Sequence, residues 1–474
     1  MRDWKRLGTG LLTALCLVVV MPSDSYAANV VTAGSGSVST GSGGPGVSAV
    51  QPSPGGDVPG TVTSPGEDSS GTVTSPGGDS SGTVTSPGSN LPSPGDSGAS
   101  GQVTLEAGAS YYQYQWGLNN TGIIQRISSV FTELPIRRMP GERIWRGSGL
   151  HIGVVSQVVT DSVEGVDINV EPAWDYYQQT QSRRTVTVAL IDTGVDITHT
   201  DLTDAIWVNE DEIPGDGIDN DGNGYIDDVN GWNFYSGNNQ VYVGTEDDHG
   251  THGAGTIAAA WDGKGTVGIA DSSYVKIMVL KALGSADSSG DPAYVKEAIR
   301  YAEANGADIC NLSMGTLAYD EELEALIRDS SMLFVIAAGN GDYFGNGYDI
   351  DTWPMYPASY TSDNIISVAN LMFNGALDES SNYGAVSVDI AAPGTYILST
   401  TPGQNYSFMS GTSMAAPMVT GVAALVYSCR TDMTLADVRQ AILFSARTME
   451  GMNGKTVTGG ILDAYGAITY GRSS

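Results

Sequence analysis

The segment VALIDTGVDITHTDL, residues Val188 to Leu202, joins an apolar run to a polar turn and gives the first indication of the fold. The run ends in Asp192, which is followed by a threonine and a glycine. Open α/β sheets place ligands and catalytic groups at the carboxyl ends of their strands. Asp192 is therefore a candidate functional residue, although an aspartate here can also simply cap a turn.

Further short β-branched runs alternate with helical patterns along the chain. Between two of them, residues Pro292 to Asn305 place apolar side chains on one helical face, and Gly306 provides a stop. Strands that alternate with helices predict an α/β domain whose mainly parallel β-sheet is covered by helices on both faces. The predicted buried strands are Thr185 to Ile191, Tyr274 to Leu280, Ala307 to Leu312, Leu333 to Ala337 and Asn364 to Ala369.

Two of the four histidines lie in DDHGTHGAGTIAAA, residues Asp247 to Ala260. The spacing of His249 and His252 could suit zinc, but no glutamate follows His249 as in the metalloprotease helix, and no third ligand is apparent. The small residues instead predict a helix pressed tightly on the sheet. We expect His249 at the exposed start of this helix and His252 as a packing histidine one turn deeper.

Two more segments carry candidate catalytic groups. In FMSGTSMAAPMVTGVAAL, Phe408 to Leu425, Ser413 begins an apolar helix, where backbone N–H groups can stabilise an oxyanion. In VIAAGN a buried strand stops at Asn340, whose amide can donate a hydrogen bond to the same oxyanion. Taken singly, Ser413 could be a capping serine and Asn340 a turn residue.

Together, Asp192, His249, Asn340 and Ser413 supply an orienting acid, a base, an oxyanion donor and a nucleophile. In this order and in these local signatures the chain resembles the subtilisin-like serine proteases, or subtilases. The resemblance extends from Tyr114 to about Ala467. It rests on the motifs YQWGLNNTG, IDTGVD, HGTHGAGTIA, NLSMG, AAGN, YPASY, SNYG, VDIAAPG, GTSMAAP and GGILDAYGAI.

The resemblance implies that His249 takes the proton from Ser413, that Asp192 orients the imidazole, and that Asn340 with the Ser413 N–H binds the oxyanion. It also implies that the substrate backbone pairs as an extra strand between two edges. These edges are residues 288–290, with Ser289 and Gly290, and the segment Ser313, Met314 and Gly315.

Three small residues, Ala337, Gly339 and Gly315, predict an apolar specificity pocket with small walls. Two positions depart from the family pattern. Gly253 replaces a larger residue of the histidine motif, and Asp271 replaces a proline. Neither change affects the predicted reaction.

An acidic stretch, GDGIDNDGNGYIDD, lies in a region without Lys or Arg between Thr185 and Gly263. Oxygen ligands at alternate positions, then a backbone carbonyl, are typical of a calcium loop. The alternative is a solvated acidic loop. The predicted structural Ca²⁺ ligands are Asp219, Asp221, Asn223, Tyr225 through its carbonyl, and Asp227. Asp201 and Asp262 match positions near which subtilases bind a second calcium ion.

The net charge of −32, from 21 Lys and Arg against 53 Asp and Glu, excludes nucleic acid as a partner because phosphate binding needs a basic surface. The only long uncharged apolar run near a terminus lies at the start of the chain, which excludes a multi-span membrane protein. We therefore predict no transmembrane segment in the mature chain. Cys310 and Cys429 lie in apolar surroundings, which favours two buried unpaired thiols over one disulfide.

Residues 1–27 have the basic start, apolar stretch and small final residues of a secretory signal peptide, cleaved after Ala27 or Ala28. Cys16 leaves a lipoprotein as an alternative. Residues 28–110 contain eleven-residue repeats of GTVTSPGGDSS type and predict a disordered Gly/Ser/Pro/Thr linker rather than a solenoid. The peptidase domain is predicted for 111–474, with an insertion at about 123–165. No segment resembles an inhibitory prodomain.

The sequence thus predicts a secreted, monomeric serine endopeptidase that acts on proteins or peptides through an acyl-enzyme, with association to the cell surface as an alternative location. Because a histidine base must be neutral, we expect activity to fall below about pH 6 to 7. Two other functions remain open: a catalytically silent surface adhesin of the same fold, and hydrolysis of small esters by the same residues.

Overall fold

A computed structural model describes residues 18–19, 102–104, 109–129, 153–159, 161–284, 289–342 and 344–472. Most of the predicted signal peptide and linker lies outside these residues. The strands are β1 (Val18–Val19), β2 (Gln102–Thr104), β3 (Ile124–Ser129), β4 (Gly153–Val159), β5 (Val186–Asp192), β6 (Gly231–Asn233), β7 (Val275–Lys281), β8 (Ser289–Gly290), β9 (Ile309–Leu312), β10 (Leu333–Ala337), β11 (Ile365–Leu371), β12 (Ile390–Pro393), β13 (Ile397–Thr401), β14 (Asn405–Met409), β15 (Arg447–Thr448) and β16 (Gly460–Ile461). The helices are α1 (Val170–Gln179), α2 (Asp248–Ala258), α3 (Pro292–Ala304), α4 (Glu321–Asp329), α5 (Thr412–Cys429), α6 (Leu435–Phe444) and α7 (Ala464–Thr469), with 3-10 turns at Tyr112–Tyr114, Thr203–Ala205 and Glu450–Met452.

The central sheet has the strand order β15-β16-β12-β11-β10-β9-β5-β7-β6. Its neighbouring strands pair in parallel, except for the edge pair of β15 and β16. The carboxyl ends of β5, β9 and β10 therefore meet at one edge, where Asp192 ends β5, Ser313 follows β9 and Asn340 follows β10 closely. This topology confirms the predicted mainly parallel sheet.

Alternate residues of β5 enter two different cores. Val188 and Leu190 pack in the core that holds α1, α2, α5, α6 and α7, whereas Ala189 and Ile191 pack in the core that holds α3 and α4. Such alternation is expected of a strand buried on both faces. Helices thus cover both faces of the sheet, as the sequence predicts.

The helix α3 shows how closely local signals set an element. It begins at the predicted Pro292, and the preceding Asp291 caps it by accepting a hydrogen bond of 2.8 Å from the Ala293 N–H. It ends at Ala304, just before Gly306, which has a left-handed φ of 71°. Proline at the start and glycine after the end are common helix boundaries.

The helix α5 is the one described helix that is long and apolar enough to cross a membrane. However, 94% of its apolar window is buried inside the protein, as in the core helix of a globular domain. Pro417 lies in its second turn. The predicted free thiols are confirmed, because Cys310 and Cys429 are both buried and unpaired.

A small antiparallel sheet forms beside the central one. It has the order β2-β4-β3, so it joins two strands of the predicted insertion to three residues of the predicted linker. Separately, β1 pairs antiparallel with β8. Four of the insertion's five arginines, Arg137, Arg138, Arg143 and Arg146, lie outside the described residues.

Candidate active site

Asp192 and His249 lie side by side. Asp192 is the last residue of β5, and its carboxylate oxygens lie 2.8 and 3.0 Å from His249 Nδ1. The Thr193 N–H also donates to Asp192 Oδ1, over 2.6 Å. The carboxylate is thus held by its own strand end while it accepts from the imidazole.

The first turn of α2 packs directly on the end of β5. A methyl group built on Gly250 would lie only 2.2 Å from the Gly194 carbonyl oxygen and 3.2 Å from Asp192 Cβ. The Gly250 N–H donates to Thr193 Oγ1 over 3.1 Å. This close approach leaves His249 only 6% exposed, so the prediction of an exposed helix start is wrong.

The electrostatics of His249 combine two opposing effects. Burial lowers the pKa of the imidazole, but the charge and hydrogen bond of Asp192, with the charge of Asp248, raise it by more. Its pKa therefore lies above the ordinary 6.5. In the neutral ring the bond to Asp192 fixes the proton on Nδ1, which leaves Nε2 as an acceptor.

His249 Nε2 is buried and has no hydrogen-bond partner within the described part of the chain. In His252, Nε2 lies 2.9 Å from the Ile397 carbonyl oxygen, while Nδ1 is buried without a hydrogen-bond partner among the described residues. Burial lowers the pKa of His252 to about 4, so this ring is neutral. The structure thus shows His252 as the packing histidine that the sequence predicts, and leaves a basic nitrogen on His249.

Ser413 lies in the first turn of α5 and is 5% exposed, so its hydroxyl is more buried than the sequence suggests. Its Oγ donates to the Ser313 carbonyl oxygen over 3.3 Å. In return, Ser313 Oγ donates to the Ser413 carbonyl oxygen over 3.1 Å. The Ser413 hydroxyl is therefore held by the predicted substrate-binding segment and not by His249.

Asn340 follows β10 and contacts the start of α5. Its Oδ1 accepts hydrogen bonds from Thr412 N and Thr412 Oγ1, at 2.8 and 2.9 Å. Because the oxygen is engaged, the amide orientation is set and Nδ2 is the end that donates. A methyl group on Gly411 would lie 3.1 Å from that nitrogen. The donor end of Asn340 thus faces the turn that carries Ser413.

Of the two predicted substrate-binding edges, the structure describes Ser289–Gly290 and Ser313–Gly315, whereas residue 288 lies outside the described residues. Ser289 and Gly290 form β8, which pairs antiparallel with Val18–Val19. Met314 and Gly315 line an apolar cavity of about 590 Å³. Its other walls are Pro292, Val295, Leu312, Thr316, Ala318, Tyr319, Asp320, Glu321, Glu322, Leu323, Ala325, Tyr356 and Pro357.

In the acidic loop the structure brings together Glu212, Asp219 and Asp221, whose carboxylate oxygens lie within 4.8 Å of one another. Glu212 was not predicted as a ligand, because it lies seven residues before Asp219 and outside the alternating run. Glu212 Oε1 accepts from the N–H groups of Asn220 and Asp221, at 2.6 and 3.1 Å. These bonds fold Glu212 back onto the loop.

The other predicted ligands have other partners. Asp227 accepts hydrogen bonds from the backbone N–H groups of residues 215–217. Asn223 Oδ1 accepts from the Tyr225 N–H, over 2.8 Å, and the Tyr225 ring packs against Tyr301. The carboxylate cluster therefore joins Asp219 and Asp221 with Glu212, which was not predicted, while Asn223 and the Tyr225 carbonyl stay predicted ligands.

The two residues of the predicted second calcium site lie near enough for the charge of Asp262 to help raise the pKa of Asp201, and each has further partners. Asp201 accepts from Tyr406 Oη and the Thr266 N–H, while Asp262 lies 3.7 Å from Lys264 Nζ. Burial raises the pKa of Asp201 to about 6, against these hydrogen bonds. The carboxyl group of Asp201 is thus stabilised as part of a buried hydrogen-bond network.

A buried ion pair beside the candidate catalytic residues was not predicted from the sequence. Lys281 Nζ lies 2.9 Å from Asp247 Oδ1, and both side chains are almost fully buried. The same nitrogen donates to the carbonyl oxygens of Thr193 and Leu283. Lys281 therefore joins β7, the residue after Asp192 and the residue before α2, although nothing in its local sequence indicates this.

Comparison with known proteins gives consistent results. Residues 183–467 match the model of the peptidase S8 family, described as the subtilase family. Three relatives are similar in sequence. The Subtilisin-like protease 1 of Plasmodium berghei is 33% identical over 62% of this chain, the Thermophilic serine proteinase of a Bacillus species 35% over 63%, and the Major intracellular serine protease of Bacillus subtilis 30% over 64%.

The matched region covers different shares of these relatives: 51% of the Plasmodium protein, 64% of the Bacillus species protein and 87% of the Bacillus subtilis protein. The chain thus spans about half the length of the first of them. A solved protease structure from Pseudoalteromonas arctica is 28% identical, covers 64% of this chain and 94% of that one, and has a TM-score of 0.49.

Proposed function

Since this chain belongs to the subtilase family, we propose that it is a secreted serine endopeptidase that cleaves peptide bonds through an acyl-enzyme intermediate. The observation that carries the proposal is the pair formed by Asp192 and His249. Its 2.8 Å hydrogen bond fixes the tautomer of the imidazole and leaves the Nε2 atom without a hydrogen-bond partner in the described residues, as a base requires.

The reaction begins when Ser413 Oγ leaves the Ser313 carbonyl and turns to His249 Nε2. As Oγ attacks the scissile carbonyl carbon, its proton moves to Nε2, and Asp192 stabilises the imidazolium. His249 then gives this proton to the leaving amine, so that the peptide C–N bond breaks and an ester on Ser413 remains. Water, deprotonated by the same Nε2, hydrolyses the ester and restores Ser413.

Negative charge develops on the carbonyl oxygen during both attacks. The Asn340 Nδ2–H and the Ser413 backbone N–H are the donors proposed for it. Because the Thr412 bonds already hold the Asn340 amide in place, this donor needs little reorganisation during the reaction.

The proposed substrate is an extended protein or peptide segment that pairs with the backbone of Ser313–Gly315 on one side and Ser289–Gly290 on the other. Alternate side chains of an extended segment point to opposite faces. The apolar cavity of about 590 Å³, which Met314 and Tyr319 help to line, can take one apolar side chain of such a segment.

We also propose that calcium binds at Glu212, Asp219 and Asp221. Carboxylate oxygens are the ligands that Ca²⁺ prefers, and the three present one oxygen each within 4.8 Å of the others. When bound, the ion would offset the mutual repulsion of these carboxylates. The loop lies between β5 and α2, so its order affects the elements that carry Asp192 and His249.

Secretion is proposed from the sequence of residues 1–27 alone. A basic start, an apolar stretch and small residues before the expected cleavage point support it. Absence of the chain from the medium of a culture that expresses it would contradict this part of the proposal.

The proposed activity is tested by incubating the purified chain with a denatured protein and, separately, with a small ester. We expect the wild type to degrade the protein and the Ser413→Ala variant to leave it intact, with unchanged circular dichroism. Equal degradation by both would refute the peptidase mechanism. Binding without degradation would indicate the silent adhesin, and ester hydrolysis alone would indicate an esterase.

A further inference from the structure

Two glycines border a gap beside the proposed reactive groups. Gly339 immediately precedes the oxyanion donor Asn340, and Gly315 lies two residues after Ser313, which accepts the hydrogen bond from Ser413 Oγ. Because β9 and β10 are parallel neighbours, the segments that follow them leave the sheet side by side. Two residues without side chains thus face the space between these segments.

The position of this gap determines which part of a substrate would enter it. In the proposed reaction the scissile carbonyl lies between Ser413 Oγ and Asn340 Nδ2, and the backbone of the same substrate residue pairs with the Ser313–Gly315 edge. The side chain of that residue, on the acyl side of the cleaved bond, then points between Gly315 and Gly339.

The side chain of Met355 occupies this gap. A methyl group built on Gly315 would lie 3.0 Å from Met355 Sδ and 3.1 Å from its Cγ. A methyl group built on Gly339 would meet Asn382 Nδ2 first, at 2.6 Å, and would lie 3.4 Å from both Cε and Cγ of the same methionine. Met355 therefore contacts both glycine walls at once and is itself only 9% exposed.

The backbone holds Met355 at this place. Its N–H donates to Ser359 Oγ over 3.2 Å, and its carbonyl oxygen accepts from the Ser359 N–H over 2.8 Å. The next residue, Tyr356, exchanges two backbone hydrogen bonds with Thr316, of 2.7 and 2.8 Å. The segment that carries Met355 is thus tied to the substrate-binding edge through main-chain bonds that do not depend on its side chain.

From this geometry we propose that Met355 sets the specificity of the peptidase site by filling the pocket for the residue on the acyl side of the cleaved bond. The inference rests on the proposed function. It assigns the substrate class as peptides with glycine, alanine or serine at that position. Larger side chains such as leucine or phenylalanine would overlap the methionine, and overpacking is energetically costly.

The test uses the full chain and tetrapeptide nitroanilides that differ only in the residue before the cleaved bond: glycine, alanine, leucine or phenylalanine. For the wild type we expect kcat/KM with alanine to exceed that with phenylalanine by about tenfold or more, the scale on which pockets discriminate by size. Met355→Ala should raise kcat/KM for the leucine and phenylalanine peptides by about tenfold and so largely remove the preference for alanine.

Met332→Ala is the matched control. Met332 is fully buried in the core that also contains Met355. It lies just before the first residue of β10, whereas Gly339 follows the last residue of that strand. Its truncation should lower the melting temperature and leave the ratio of the four kcat/KM values unchanged. The conservative variant Met355→Leu should keep the preference for alanine.

A wild type that prefers phenylalanine would overturn the inference, as would a Met355→Ala variant with the wild-type ratio. These outcomes differ from failure of the proposed function, in which no peptide of the series is cleaved. Cleavage of the series by Ser413→Ala would likewise refute the proposed function and not the pocket assignment.

Discussion

Gly250→Ala tests whether the contact between α2 and the end of β5 positions the catalytic pair. The new methyl group would lie 2.2 Å from the Gly194 carbonyl oxygen, whereas such contacts are essentially never closer than 3.0 Å. The helix start must therefore move by about 0.8 Å. If His249 moves away from Asp192 by this amount, the 2.8 Å distance between them grows to at most about 3.6 Å, which is no longer a hydrogen bond.

A displacement of about 1 Å can lower a catalytic rate about a hundredfold. We therefore expect kcat of Gly250→Ala to fall about a hundredfold on a peptide nitroanilide, with rates normalised to folded protein measured by circular dichroism. The matched control is Gly253→Ala in the same helix, where the methyl group would meet Pro417 at 3.6 Å and Leu190 at 3.8 Å.

The control variant has room for its methyl group, and alanine favours a helix over glycine by about 1 kcal/mol. Gly253→Ala should therefore keep wild-type kcat and melt at the same or a higher temperature. A Gly250→Ala enzyme with kcat within about threefold of wild type would refute the positioning argument. An equal loss in both variants would show that any added methyl group disturbs this helix.

Three further outcomes are expected. Asn340→Ala should lower kcat by about a hundredfold to a thousandfold with a modest change in KM, the range known for loss of one oxyanion donor in the related subtilisin; an unchanged kcat would make Asn340 a turn residue. Because the pKa of His249 is raised, kcat/KM should fall as the pH drops through a value above 6.5, and full activity at pH 4 would exclude a histidine base. Chelation of calcium should lower the melting temperature and speed self-digestion, and the Glu212→Gln and Asp221→Ala variants should show the same two effects without chelator. Identical melting temperatures in calcium and in chelator would indicate that the acidic run is a solvated loop.

The strands of the central sheet and the boundaries of α3 could be predicted because their sequence signals are local. A short β-branched run indicates a buried strand by its composition alone. The start of α3 at Pro292 is likewise indicated by the proline and by the preceding Asp291. The candidate catalytic residues could also be identified from the sequence, since each lies in a short motif at the carboxyl end of a strand or the start of a helix.

Contacts between distant segments could not be predicted in the same way. Glu212 joins the acidic cluster through bonds to the N–H groups of Asn220 and Asp221, which depend on how the loop turns. His249 is buried at the start of α2, where Gly250 packs against the Gly194 carbonyl. Gly194 lies more than fifty residues earlier in the chain. Met355 enters the gap between two glycines because its segment bonds to Thr316, and no pattern around Met355 indicates this.

The most direct test of the account is to locate the residue that a fluorophosphonate modifies. We predict a single phosphonyl adduct on the peptide that contains Ser413, found by mass spectrometry of the digested protein. Labelling should slow as His249 becomes protonated and should be absent in Ser413→Ala. An adduct on another residue, or labelling that persists in Ser413→Ala, would contradict the assignment of Ser413 as the nucleophile.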